Sequence, residues 1–290
     1  MVKKKNGYLR LAIMLILLVT AIGSMYVLNE RYQVIGKNQP KSDFEKGPYS
    51  KAFMPTAHQG TIIEHPYFAI SYVEEHEQSE WVFYELDIQR LKGKVDRNFN
   101  FRSDPAIQTG SAYHYDYRGS GYDRGHLVPA ADMAASPTAV MTTFMMSNIS
   151  PQARMFNRGI WRELEEQVRD WTRKSQHLFI ATGPVLDDNL NEVIGQKSQV
   201  TVPKMFYKVL LDYTTPEKKA IGFLLPNEKS DEPISNFATT VDEVELVTGI
   251  DFFPNLPDSE EKRLESKYKM ALWPINDFWT NLRIKEWNSY

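Results

Sequence analysis

Residues 122–133 read YDRGHLVPAADM, which sets Asp123, Arg124 and His126 within four positions of one another, ahead of a short apolar run ending at Pro129. Downstream, SNISPQ carries Asn148, and FNRGIWRELEE carries Asn157, Arg158, Arg162 and Glu165. Cleaving a phosphodiester at neutral pH needs a base for water, and an imidazole, with an ordinary pKa of about 6.5, suits that task. The charge that develops on the phosphorane and the leaving group calls for a hard divalent cation, which prefers oxygen ligands. A guanidinium that stays ionised can clamp the phosphate oxygens. His126, the amide oxygen of Asn157 and Arg124 supply those three parts.

Each residue also has an ordinary reading. A histidine beside an apolar run is commonly a packed or surface residue, and an asparagine at a helix start is commonly a cap. Glu165 and Glu166 can form a solvated helix face, Arg124 and Asp123 a surface ion pair, and Asn148 a turn ahead of Pro151. The functional reading rests on their joint occurrence.

The elements that must hold these residues can be read from periodicity. YFAISYVEE and EWVFYELDI, separated by a polar stretch, predict a hairpin. A short strand is expected over Asp123–Pro129, with VMTTFMMSNIS a second apolar segment returning from it. From Phe156 to Lys174, apolar residues at Phe156, Ile160, Trp161, Leu164, Val168 and Trp171 have helical spacing. That spacing predicts one helix with Asn157 in its first turn, where free N–H groups and the helix dipole favour phosphate. Glu165 then lies about 12 Å further along the axis at about 1.5 Å per residue. Its side chain leans back toward the N-terminus, which suits it to the metal's waters more than to the ion itself. HLFIATGPVL, KMFYKVLLDY and AIGFLLPN predict further strands, and TTVDEVELVTGIDFF a helix stopped by Gly249. The expected class is α+β around a central, mainly antiparallel sheet with flanking helices.

The chain has 290 residues, 42% of them apolar and 12% aromatic, ample for a packed core. It has no cysteine, which excludes disulfides, thiolate metal sites and cysteine nucleophiles. No GxxxxGK[ST], HExxH or GxSxG occurs, and RGSGYDRG misses the dinucleotide-binding glycine spacing by one residue. Lys3, Lys4, Lys5 and Arg10 form a basic tail over residues 1–10, ahead of an uncharged apolar run over residues 11–28. That run is close to the roughly 17–25 residues that span a bilayer, and the basic residues before it predict a membrane anchor with the body outside the cytoplasm. A cleaved signal near Gly23 and Ser24, which would release a secreted protein, is the alternative. Residues 29–55 read as a polar tether and 56–290 as the folded domain. Residues 1–28 hold four of the 34 basic residues and no acid, so 30 Lys and Arg face 37 Asp and Glu in the remainder. Basic charge concentrates between Leu91 and Lys174, where 12 Lys and Arg meet 9 Asp and Glu.

Taken together, YDYRGSGYDRGHLVPAADM and SNISPQARMFNRGIWRELEEQVR, with FAISYVEEHEQSEWVFYEL before them and VELVTGIDFFPNLPD after, resemble the DNA/RNA non-specific endonucleases, the ββα-metal or His-Me finger nucleases. The resemblance runs from about residue 65 to 258. It implies an α+β sandwich with a ββα-metal finger on one side, and a hydrolase that cuts both DNA and RNA with little sequence specificity. It implies His126 as the general base with its ring held by the Asn148 amide. Asn157 would be the direct Mg²⁺ ligand, Glu165 would support the metal's water shell, and Arg124 would contact the scissile phosphate. Arg97, ahead of Phe101 and Asp104, would be a second catalytic arginine, with Arg102 its rival. Arg158 and Arg162 are candidate contacts to the nucleic-acid backbone. Mn²⁺ or Ca²⁺ would also suit an Asn site and its waters. Parts of this family dimerise, but no dimer interface is legible in the sequence. Two alternatives stay open: hydrolysis of small diesters or nucleotides, and an inactive, surface-anchored nucleic-acid-binding protein.

Overall fold

The computed structural model describes residues 50–94, 99–187, 189–214 and 217–288. The apolar run at 11–28, most of the expected tether and Arg97 lie outside the described residues. Among the described residues no helix is long and apolar enough to cross a membrane.

FAISYV and QSEWVFYELD put bulky residues on both faces of a strand, the pattern of a sheet covered on each side. They form β2 (Ala69–Val73) and β3 (Gln78–Asp87), paired antiparallel and joined by a 3-10 turn that ends at Glu77 in the left-handed conformation, φ 53°. β1 (Thr61–Glu64) extends the sheet on one side. On the other side stand β6 (His177–Pro184), β9 (Met205–Asp212), β10 (Lys219–Pro226) and the short β11 (Ala238–Thr239). The resulting order is β1-β2-β3-β6-β9-β10-β11, antiparallel throughout. Two small strand pairs complete the β structure: β4 (Tyr122–His126) with β5 (Ile149–Ala153), and β7 (Val193–Ile194) with β8 (Val200–Thr201).

Alternation along the strands creates two cores. Val82, Tyr84, Leu86, Ile180 and Leu210 face one layer, and Trp81, Phe83, Ala181 and Val209 the other. The first core is covered by α3 (Ile160–Ser175), whose Ile160, Trp161, Leu164, Val168 and Trp171 are the apolar stripe expected from the spacing. The second is covered by α4 (Val241–Thr248) and α5 (Asp258–Glu265), with Val244, Phe252, Phe253 and Leu264 inserted. Gly249 terminates α4 with φ 72°, as the sequence predicts. Phe53 and Met54, from the end of the expected tether, also pack on this second core, Phe53 lying 4.4 Å from the Phe179 ring between centroids.

One local expectation gains detail and another needs correction. The segment VMTTFMMSNIS, expected as a second apolar segment returning from the short strand, returns in three pieces. α1 (Pro137–Thr143), capped by the Ser136 hydroxyl on the Ala139 N–H, leads into a 3-10 turn at Met146–Asn148, and only then does β5 begin. The helix predicted from Phe156 is broken as well. A short α2 (Arg154–Arg158) carries Asn157, and the long helix starts afresh at Ile160. Gly159 makes the break: a Cβ there would meet the Met155 carbonyl oxygen at 2.4 Å. Asn157 therefore ends a short turn rather than opening the long helix. The last helix, α6 (Asp277–Trp287), lies against α3, where Arg283 donates from Nε and Nη2 to the buried Glu163 carboxylate, both at 2.7 Å.

Candidate active site

The site is built on β4. Its antiparallel register with β5 sets Gly125 opposite Ser150 and His126 opposite Ile149. Glycine is required at 125 by close approach: a Cβ would lie 2.1 Å from the side-chain amide of buried Gln152. β5 is in turn fixed to the central sheet, with Ser150 Oγ donating to Gln78 Oε1 at 2.6 Å and Ser79 Oγ donating to the Ser147 carbonyl at 2.7 Å. Reactive side chains on a two-stranded pair are thus held by buried polar contacts to the large sheet.

His126 is half-buried between two aromatic rings. Phe144 meets it edge-on at 4.9 Å and Phe101 is tilted against it at 5.4 Å. The Arg124 guanidinium lies 4.6 Å from the Phe101 ring centre, so one phenylalanine orients both the histidine and the arginine. Asn148 is fully buried, and its described hydrogen bonds run to the main chain. Nδ2 donates to Thr143 O at 2.8 Å and Val128 O at 3.1 Å, while Oδ1 accepts from Val128 N at 2.9 Å. The residue reaches His126 through the chain that follows it.

Asn157 donates from Nδ2 to Asp123 Oδ2 at 3.2 Å, which leaves its carbonyl oxygen to be offered elsewhere. Asp123 also accepts from Arg158 Nε at 2.8 Å and lies 3.8 Å from Arg154 Nε, so one carboxylate gathers two arginines and the asparagine. His126, Asn157, Arg162, Glu165, Glu166 and Arg169 line a single cavity of about 290 Å³. Burial pushes the Glu165 carboxyl up to about 7, against the pull of Arg169 and Lys208 and with help from Asp132 and Glu166. Lys208, fully buried, is pushed down to about 8 by the same loss of water, with Glu165 and Asp132 opposing the shift. Beneath the cavity, Asp132 accepts from Tyr84 Oη at 2.8 Å and Arg169 Nη1 at 2.7 Å, which locks α3 to the sheet.

Arg124 and Arg158 line a second cavity of about 620 Å³, together with Asp123, Arg118, Arg154 and His114. β4 contributes to both cavities, so the predicted residues divide into a histidine–asparagine–glutamate pocket and an arginine-rich groove. Arg162 belongs to the first, where its guanidinium stacks 4.1 Å from the Trp287 ring centre on α6. Arg102 lines neither cavity; it bridges to Met145 through its backbone, and Nη2 donates to the Met141 carbonyl at 3.4 Å.

Sequence reasoning missed Asp123 as the common acceptor, Arg118 and Arg154 as groove residues, and Phe144 as the partner of the histidine ring. Asp123 stands next to Arg124, and its charge was the available signal. Phe144 sits 18 residues from His126 on a different element, and nothing local in the sequence pairs them.

The family model described as DNA/RNA non-specific endonuclease matches residues 46–259. The chain is similar to human mitochondrial endonuclease G, with 36% identity over 193 residues, 61% of this chain and 64% of that protein. It is similar to nuclease C1 of Cunninghamella echinulata var. echinulata, with 35% identity over 227 residues, 72% of this chain and 90% of that protein. A solved structure from an EndoG/EndoGI complex superposes with a TM-score of 0.67 at 30% identity, covering 76% of this chain and 95% of that one. The chain thus spans a little under two thirds of the length of the human relative.

Proposed function

The chain belongs to the DNA/RNA non-specific endonuclease family, and from that premise we propose that it is a divalent-metal-dependent endonuclease hydrolysing phosphodiester bonds of both DNA and RNA. The observation that carries this reading is the shared cavity, in which His126, Asn157 and Glu165 come from three separate elements. His126 takes the proton of the attacking water, with Phe101 and Phe144 setting its ring plane. Arg124, on the groove side of β4, holds the non-bridging oxygens of the phosphate. Asn148 keeps the chain after His126 in register by gripping Val128.

The donor set fits a hard dication. Asp123 occupies the amide nitrogen of Asn157 and frees its oxygen, and Glu165 adds a carboxylate to the same cavity. Asn157 would hold Mg²⁺, with Glu165 acting on its waters; bound there, the cation neutralises charge on the phosphate and the leaving oxygen. Four arginines along the neighbouring groove support a polyanion as substrate over a small diester. They address phosphates, which carry no base information, and this supports low sequence specificity.

The test is His126→Ala in the full-length chain. Cleavage of plasmid and of structured RNA should fall by roughly 10²–10⁴-fold, with the circular dichroism of the folded state kept. Chelation should abolish wild-type cleavage. Hydrolysis at the wild-type rate in the alanine variant refutes the assignment of the base.

A further inference from the structure

A second group of acids lies on the opposite face of the sheet, among the helices that cover the second core. One oxygen each of Asp242 and Glu245 on α4 and of Glu265 on α5 lies within 4.8 Å of the other two. Two ligands on one calcium ion at 2.3–2.6 Å can be no more than about 5 Å apart, so the three oxygens fit a shared coordination shell. Glu265 is the telling residue. Its side chain is buried, only 5% of the residue is exposed, and Oε1 has no hydrogen-bond partner among the described residues. It is the last residue of α5, the end at which the helix dipole disfavours a negative charge. Asp242, by contrast, lies in the first turn of α4, where a carboxylate is at home.

Among the described residues no lysine or arginine forms an ion pair with any of the three. Glu245 Oε1 accepts from Phe252 N at 2.9 Å, which anchors that carboxylate at the edge of the cluster. Burial, with repulsion from Glu245, Glu261, Asp242 and Asp251, pushes the Glu265 carboxyl up to about 8. A buried carboxyl facing two others, at the C-terminal end of a helix and with no partner for Oε1, must take up either a proton or a cation, and three converging oxygens suit the cation. The ligands are all hard oxygens on two separate helices, an arrangement that suits the larger, less geometrically demanding Ca²⁺ over Mg²⁺.

We propose that Asp242, Glu245 and Glu265 form a calcium site that clips α4 to α5, separate from the catalytic cavity. Glu265 stands outside the region matched by the family model, so the site depends on this chain's own C-terminal segment. The proposal does not rest on the nuclease reading.

Thermal unfolding of the full-length chain, stripped with chelator and measured with and without millimolar CaCl₂, tests it. The wild type and Asn157→Ala should both gain about 5 °C in midpoint with calcium. Asp242→Asn and Glu265→Gln should lose that gain. Should the buried Glu265→Gln variant fail to fold, Asp242→Asn carries the comparison, since its side chain is exposed. No calcium-dependent rise in the wild type overturns the site. A rise that survives Asp242→Asn but vanishes in Asn157→Ala also overturns it, because it assigns calcium to the catalytic cavity.

Discussion

Asn157 can serve a cation only if its amide turns oxygen outward, and a neutral side chain does not do this by itself. Asp123 settles the orientation by accepting from the nitrogen, while two arginines hold Asp123. Glu165 answers a different need, because its charge depends on pH in the working range. With its carboxyl pushed up to about 7, it is ionised at pH 8 and largely neutral at pH 6. A neutral carboxyl holds a cation's waters less firmly. The cation concentration giving half-maximal cleavage should therefore rise about tenfold as pH falls from 8 to 6. In Glu165→Gln that concentration should be roughly 10–100-fold higher at pH 8 and should no longer change with pH. Titrating Mg²⁺ at both values reads this separately from the maximal rate. An unaltered pH dependence in the glutamine variant removes Glu165 from the cation's surroundings. That His126, Asn157 and Glu165 belong together was legible, because each residue type matches one requirement of the expected chemistry, and the fold does bring them to one cavity. The supporting partners Asp123 and Phe144 were not, since a supporting role depends on which elements meet in space.

The β2–β3 hairpin and the strands β6, β9 and β10 came through in the sequence because each alternates or runs apolar over five or more positions, whereas β1, β7, β8 and β11, two to four residues long, carry no such pattern. α3 was legible because Trp161, Leu164, Val168 and Trp171 keep one face. What could not be read was punctuation: a period-3.6 stripe continues smoothly across Gly159, and only its non-helical backbone, φ −106° and ψ −110°, shows that the helix breaks there, at a position where a Cβ would meet the Met155 carbonyl. The same holds for the segment leading to β5, where apolar residues serve a helix, a turn and a strand in succession. The loop that carries Phe101 toward His126 is held by Asp104, which lies 2.9 Å from His65 Nε2 and accepts from Ser147 Oγ at 2.5 Å and Ala106 N at 2.9 Å. Burial alone would raise the Asp104 carboxyl, but His65, Ser147 and the Ala106 N–H together hold it below the usual carboxylate range. A depressed value means that the stabilisation is present above the unfolded value of 3.8 and is lost as pH falls through the folded one. Asp104→Asn should thus cost about 1–3 kcal/mol at pH 7, the scale of leaving buried hydrogen-bonding groups unpaired. The difference from wild type should shrink toward pH 3. Urea unfolding at both values checks it, and a constant difference would contradict the linkage.

At the scale of the molecule, an acidic body presents a basic groove. The chain carries 34 basic and 37 acidic residues, so its net charge repels nucleic acid. Arg118, Arg124, Arg154 and Arg158 nevertheless line one groove with a single acid, Asp123, among them. Binding then depends on a few local phosphate contacts rather than on the overall field, and each contact releases condensed counterions. Arg118 and Arg154 are exposed and lie away from the histidine pocket, so removing them alters the contacts without touching the base. In Arg118→Ala/Arg154→Ala, the slope of log affinity against log salt for duplex DNA should become shallower by about 1.8, two contacts at about 0.9 each. The loss in affinity is then greatest at low salt and narrows as salt rises. The cleavage rate at saturating DNA should hold, because Arg124 and His126 remain and Arg158 Nε, donating at 2.8 Å, still holds the Asp123 that orients Asn157. Equilibrium binding of the cleavage-deficient His126→Ala protein, with and without the two arginines and across a salt series, gives the slopes directly. Parallel lines for the two proteins would place the nucleic acid somewhere other than this groove.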